Sequence, residues 1–154
     1  MIRRALLALW LALPLAAQAG APIALTAAEV PALLKPPAHG VRVLALWSLD
    51  CAYCEANLQA LQQLQRAHPR EVELIVIATD SVSESTALQQ RLRAAKVDSL
   101  PSRAYADATP ERINYLIDPN WGGELPRTLV IAADGQRKAF SGALTPSALR
   151  AIVP

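Results

Sequence analysis

The sequence is poor in the residues that build metal centres. Its 154 residues hold two histidines, His39 and His68, two cysteines and one methionine, Met1. The histidines lie too far along the chain from the cysteines to form a zinc pattern. A copper site beside the cysteines would want a further histidine or methionine, and no histidine follows His68. Charge of one sign is also scarce: 15 Lys and Arg stand against 13 Asp and Glu, with no basic patch that would track a phosphate backbone. Nucleic acid is therefore not an expected partner. No apolar run reaches the ~20 residues that a membrane-spanning helix wants. There is no internal repeat and no low-complexity linker.

What is present begins with an expected leader. Met1-Ile2-Arg3-Arg4 is a short basic start, and Ala5 to Ala17 is an apolar run containing Pro14. Ala17-Gln18-Ala19 then reads as an A-x-A cleavage site, so residues 1–19 are expected to be a secretory signal peptide. An uncleaved anchor is the competing reading. Cleavage leaves 135 of the 154 residues, one domain (20–154) large enough for its own core. With Arg3 and Arg4 gone, 13 basic residues balance 13 acidic ones, so the net charge of +2 belongs to the leader. The mature chain is expected to be soluble, to start near Gly20 and to reside in the periplasm.

The two cysteines form Cys51-Ala52-Tyr53-Cys54, between an apolar run and a helix-patterned stretch. Thiols at this spacing can close a disulfide within one helical turn. If the turn opens a helix, Cys51 lies at the exposed end and Cys54 one turn deeper, which suits reversible thiol–disulfide exchange. A structural disulfide is the plainer alternative, although a bridge over so small a loop removes little unfolded-state entropy. Metal binding is the third reading. The histidines are expected to be solvated, with His68 at a helix end where positive charge is favourable.

Hydrophobic periodicity places these cysteines in a β-α-β unit. Residues 21–25 read as an extended lead-in. Thr26 with Glu29 has capping-box spacing for a short helix that stops by Pro36-Pro37. Residues 41–47 and 72–78 are near-continuous apolar runs, as in strands buried on both faces and running parallel. Residues 51–68 carry Leu58, Leu61 and Leu64 at helical spacing, and Pro69 ends the helix. Ser83 or Ser85 caps a helix reaching about Lys96. Between 97 and 120 the signal is mixed, apart from a helix start at Thr109-Pro110-Glu111. Residues 128–132 read as a strand, Asp134-Gly135 as a hairpin turn into 137–140, and Thr145-Pro146 as the start of a last helix to about Ile152.

This order, with Trp47-Ser48-Leu49-Asp50-Cys51-Ala52-Tyr53-Cys54 and Leu125-Pro126-Arg127-Thr128 before a strand, resembles the thioredoxin superfamily. It is most similar to the exported bacterial thiol–disulfide oxidoreductases of the TlpA/ResA type. The resemblance covers roughly residues 26–152 and implies an α/β thioredoxin-like fold: a central mixed sheet flanked by helices, with a helical insert before the cis-proline strand. The chain departs from the pattern at three places. Asp50 stands where tryptophan is frequent, Ala45 where a buried acid assists proton transfer, and Leu125 where threonine, valine or isoleucine is commoner.

The resemblance makes Cys51 the nucleophile and Cys54 the resolving thiol. It implies a cis bond before Pro126, which leaves the Leu125 backbone free to pair with an extended substrate. Trp47 either shapes the surface beside Cys51 or fills core. Tyr53 is expected to be exposed and to touch substrate. Trp121 forms a groove wall or a packing lid. Asp80 and Glu84 either assist proton transfer or are solvated loop acids.

The leading function is reduction of disulfides in exported proteins, with a role in cytochrome c maturation as one setting. The dithiol would be regenerated by a membrane thiol-reducing electron donor. The protein is expected to act as a monomer, with no cofactor beyond the Cys51–Cys54 disulfide and no metal. A disulfide-forming oxidase or isomerase is the alternative within enzymes; a non-catalytic partner-binding or copper-binding module is the alternative outside them. Asp50 and Glu55 are near in sequence and no lysine or arginine adjoins the motif, so Cys51 is expected to have a modestly lowered pKa and the site a reducing potential.

Overall fold

Val41–Trp47 is buried along its whole length except at Arg42, and it is the strand around which the rest is arranged. The computed structural model describes residues 20–153. The expected signal peptide, 1–19, lies outside the described residues. In chain order the elements are β1 (Ile23–Leu25), α1 (Val30–Leu33), β2 (Val41–Trp47), α2 (Cys54–Ala67), β3 (Val72–Ser81), α3 (Ser85–Ala94), β4 (Ser102–Tyr105), α4 (Pro110–Ile117), β5 (Arg127–Ala132), β6 (Arg137–Ser141) and α5 (Pro146–Arg150).

The six strands form one sheet in the order β1-β4-β3-β2-β5-β6. The pairs β1–β4, β4–β3 and β3–β2 are parallel. β5 is antiparallel to β2, and β6 to β5. The expected parallel pairing of 41–47 with 72–78 is present residue for residue, from Val41↔Val72 to Trp47↔Ala78. Its start is fixed by a tight approach. Gly40 has φ +64°, and a Cβ there would sit 2.1 Å from the Glu71 carbonyl oxygen, which accepts from Val41 N–H at 2.8 Å. Only glycine meets both conditions.

Alternation along β2 divides the core between the two sheet faces. Val43, Ala45 and Trp47 pack with Leu58 and Leu61 of α2 and Leu88 and Leu92 of α3. Leu44 and Leu46 face the other way, toward Val30 of α1, Ile113 and Ile117 of α4, and Trp121. Burying each such leucine or isoleucine stabilises the fold by about 1.5–3 kcal/mol. Two helical layers are therefore needed to cover a sheet that is apolar on both sides. α4 is the helix before the proline strand.

The structure corrects the sequence expectations at several points. β4 falls in the stretch 97–120 that gave no clear signal, because four residues with Ser102 and Arg103 among them carry too little periodicity. The lead-in 21–25 contains a strand, β1, which pairs with β4. Helix α2 begins at Cys54, so Cys51 precedes it. Thr26 does not cap a helix: its N–H and its hydroxyl both donate to Glu29, at 2.8 and 2.9 Å, and the helix starts at Val30. Neither Ser83 nor Ser85 caps α3. Ser81 accepts from the Ser83 N–H and caps a 3-10 turn at Val82–Glu84 instead. The Asp134-Gly135 turn and the Thr145 cap, which accepts from Ala148 N–H at 3.1 Å, are where the sequence placed them.

Candidate active site

Strand pairing brings two distant segments together. Register pairs Leu46 with Arg127, so the chain leaving β2 toward Cys51 runs beside the chain entering β5 from Pro126. Cys51 and Cys54 are joined in a disulfide, S–S 2.02 Å, Cα–Cα 5.5 Å. Cys51 is half-buried and Cys54 only 2 % exposed. Cys51 is thus the cysteine of the pair that a second protein can meet, and Cys54 is shielded.

The segment from β2 to α2 is held by few bonds. Leu49 N–H donates to Asp80 Oδ2 at 3.1 Å, Cys51 N–H to Ser48 O at 3.3 Å, and Cys54 N–H to Cys51 O at 3.4 Å. Tyr53 occupies the N-cap position without a side-chain cap, so α2 opens just past Cys51 with no side chain capping its first turn. The N–H groups of that turn and the helix dipole favour a thiolate at Cys51.

On the other side, the Leu125–Pro126 peptide bond is cis. Pro126 is buried, and its carbonyl accepts from Gly142 N–H at 2.9 Å. The backbone N–H and C=O of Leu125 have no hydrogen-bond partner among the described residues. Each is therefore available to an incoming strand.

Arg127 locks this second segment. Its side chain is 11 % exposed and donates to Asp118 Oδ2 at 2.5 Å, to Glu124 Oε1 at 3.2 Å and to the Ser141 hydroxyl. Ser141 in turn donates to Glu124 Oε1 at 2.5 Å, and Trp121 Nε1–H donates to Glu124 O at 2.8 Å. Burial pushes the Asp118 carboxyl up, but bonds from Arg127 and the Asn120 N–H, with the charges of Arg127 and Arg137, hold it below its ordinary value. Glu124 is also lowered, chiefly by the Ser141 hydroxyl. Sequence reasoning missed this cluster because its members lie up to 23 residues apart, from Asp118 to Ser141.

The remaining predicted residues fall as follows. Trp47 is 2 % exposed in the α2–α3 core, and its indole N–H has no acceptor among the described residues. Tyr53 is 71 % exposed between the cysteines. Trp121 is buried in the α1–α4 core. Asp50 and Glu55 are exposed on either side of the motif, and Glu55 accepts from Gln59 at 3.3 Å. Ala45 is buried. Asp80 anchors the Leu49 backbone, whereas Glu84 lies in the exposed 3-10 turn. His39 is exposed, and half-buried His68 ends α2 with its Nδ1 3.0 Å from Glu71. No three metal-ligating side chains gather among the described residues.

Sequence reasoning also missed Arg91 of α3. With Trp47, Glu55 and both cysteines it lines a crevice of about 10 Å³, too small for a ligand. A roomier depression of about 580 Å³ lies at the opposite end of the sheet, near Arg42 and Pro101, and neither cysteine lines it.

This sheet order, with a disulfide at the head of α2 beside a cis-proline, defines a thioredoxin-like fold. Solved structures agree. A secreted Mycobacterium tuberculosis disulfide oxidoreductase homologous to E. coli DsbE is 20% identical, with 73% of this chain and 81% of that chain covered and a TM-score of 0.57. StoA from Bacillus subtilis is 22% identical over 75% and 84% of the two chains, TM-score 0.55. A thioredoxin-related protein from Neisseria meningitidis serogroup B is 24% identical over 74% and 82%, TM-score 0.58. What these likenesses establish is the fold. No protein-family profile matches the chain, and no curated protein matches it in sequence.

Proposed function

We propose that this protein is an exported thiol–disulfide oxidoreductase of the TlpA/ResA type that reduces disulfides of other exported proteins. The observation that carries the reading is the unequal exposure of the two joined cysteines, at the sheet end where the Leu125 backbone is unpaired. In the dithiol form, the Cys51 thiolate attacks one sulfur of a substrate disulfide. A mixed disulfide forms and the other substrate sulfur leaves as a thiolate. Cys54, deprotonated in turn, attacks Cys51 and expels the second substrate thiolate. Two electrons pass to the substrate, and the protein ends as the Cys51–Cys54 disulfide. A membrane thiol-reducing donor then returns it to the dithiol. Tyr53 and Leu125 contact the substrate, which includes cytochrome c precursors whose haem-attachment cysteines must be reduced.

The periplasmic location rests on the basic-apolar-A-x-A leader, and the secreted Mycobacterium tuberculosis neighbour supports it. No helix among the described residues is long and apolar enough to cross a membrane. N-terminal sequencing of periplasmic material should give a start near Gly20; residues 1–19 retained in a membrane fraction would refute export by cleavage. For the activity, insulin reduction with dithiothreitol is the assay, and Cys54→Ser should accumulate mixed disulfides on non-reducing gels. Parent protein that neither turns over nor is trapped would overturn the proposal.

A further inference from the structure

We infer that Arg91 is the charge-setting residue of the Cys51 thiolate, a positioning role supplied from a helix 40 residues away in sequence. The inference rests on the reading of Cys51 as the attacking thiol and deepens it. Arg91 lines the crevice under the disulfide together with Cys51, Cys54 and Glu55. It also borders a shallow surface depression with Leu49 and Asp50. Arg91 thus shares one depression with both cysteines and Glu55 and another with Asp50, without forming an ion pair to either acid. Its side chain makes no hydrogen bond or ion pair among the described residues. It is not consumed by another partner.

The charged groups around the motif can be named element by element. The loop before α2 brings Asp50, α2 brings Glu55, the end of β3 brings Asp80 and α3 brings Arg91. Asp80 is engaged by the Leu49 N–H at 3.1 Å. Arg91 is the cation in this set among the described residues. Without it, two exposed acids would oppose the thiolate and work against the helix N-terminus. With it, their field is offset where the negative sulfur forms. Arginine suits the place because it stays charged across the accessible pH range and its exposed fork can follow the sulfur as the disulfide opens. Sequence proximity alone pointed to an acidic setting; the packing of α3 against α2 makes it a mixed one.

The experiment is the pH dependence of Cys51 alkylation by iodoacetamide in the reduced full-length protein, mapped to Cys51 by mass spectrometry. Arg91→Gln should raise the Cys51 pKa by about 0.5–1 unit, and Arg91→Lys should restore most of it. An unchanged or lowered pKa in Arg91→Gln would overturn the inference. So would an equal rise in both variants, since that would mark lost packing rather than lost charge. Insulin reduction by the parent is read in parallel. A parent that shows the Arg91-dependent pKa yet reduces no disulfide would sink the proposed function and leave this inference standing; normal turnover with an Arg91-independent pKa would do the reverse.

Discussion

Residues 48–53, which carry Cys51, are tied down by two backbone bonds of 3.3 and 3.4 Å and one from Leu49 N–H to the Asp80 carboxylate at 3.1 Å, whereas residues 118–126, which carry Leu125, are clasped by a nearly buried arginine. The first segment ends on a 71 % exposed tyrosine; the second keeps Trp121 and Pro126 buried. Both lie at the same end of the sheet, one leaving β2 and the other entering β5. The difference follows from what each must do. The Cys51 sulfur has to leave Cys54, join a foreign sulfur and return, so a segment with weak ties shifts at low cost. The Leu125 backbone has to hold an incoming strand in one place, and a fixed template loses less freedom on binding.

The largest effect should come from the loosely held side. Cys51→Ser is expected to abolish insulin reduction while leaving urea stability near that of the reduced parent. Surviving turnover would remove Cys51 from the nucleophile's role and with it the contrast between the segments.

Next should come the clasp. Arg127→Met leaves the Asp118 carboxylate nearly buried without its partner, and a loss of about 3 kcal/mol in urea unfolding is expected. The acid limb should change too. Asp118 and Glu124 are lowered in the folded chain, so over the acid range the unfolded chain binds more protons than the folded one. Their contribution is present above the ordinary carboxylate range, near pH 4, and is lost as pH falls through the folded-state values. In Arg127→Met this limb should flatten. A loss no greater than that of the next variant would show that the proline segment is not the better held.

Asp80→Ala removes the acceptor of the Leu49 N–H and should cost about 1 kcal/mol, with faster local amide exchange confined to residues 48–53. Exchange that spread equally into 118–126 would mean the two segments move as one. The smallest effect on stability should be that of Tyr53→Ala, within about 0.5 kcal/mol, because the ring is exposed. Its expected consequence is a raised KM for protein disulfides with kcat little changed.

Much of this could be read before any coordinates. The apolar runs at 41–47 and 72–78 showed two-sided burial, and the leucine spacing after Cys54 showed α2. Asp134-Gly135 marked the hairpin. These signals are local, since each depends on residues within one element. β4 was missed because Ser-Arg-Ala-Tyr shows too short an alternation, and its strand character comes from pairing with β3 on one side and β1 on the other. Thr26 was misassigned because the Thr-x-x-Glu spacing serves a hydroxyl-to-carboxylate bond as readily as a helix cap.

The sequence by itself determined the pair of thiols and the strand and helix that present them, while the proline segment was legible only through the family resemblance. The thiols, strand and helix follow from periodicity and from chemistry carried by neighbouring residues. Only the tertiary structure decided the charges around the sulfurs and the rigidity of the proline segment. Arg91 shares a crevice with the cysteines because α3 packs on the same sheet face as α2, and Arg127 reaches Ser141 because β5 pairs with β6 at that residue, and Asp118 because the loop after α4 comes back to the start of β5. Electrostatic and hydrogen-bonding partners are set by distance in space, which a one-dimensional pattern does not encode.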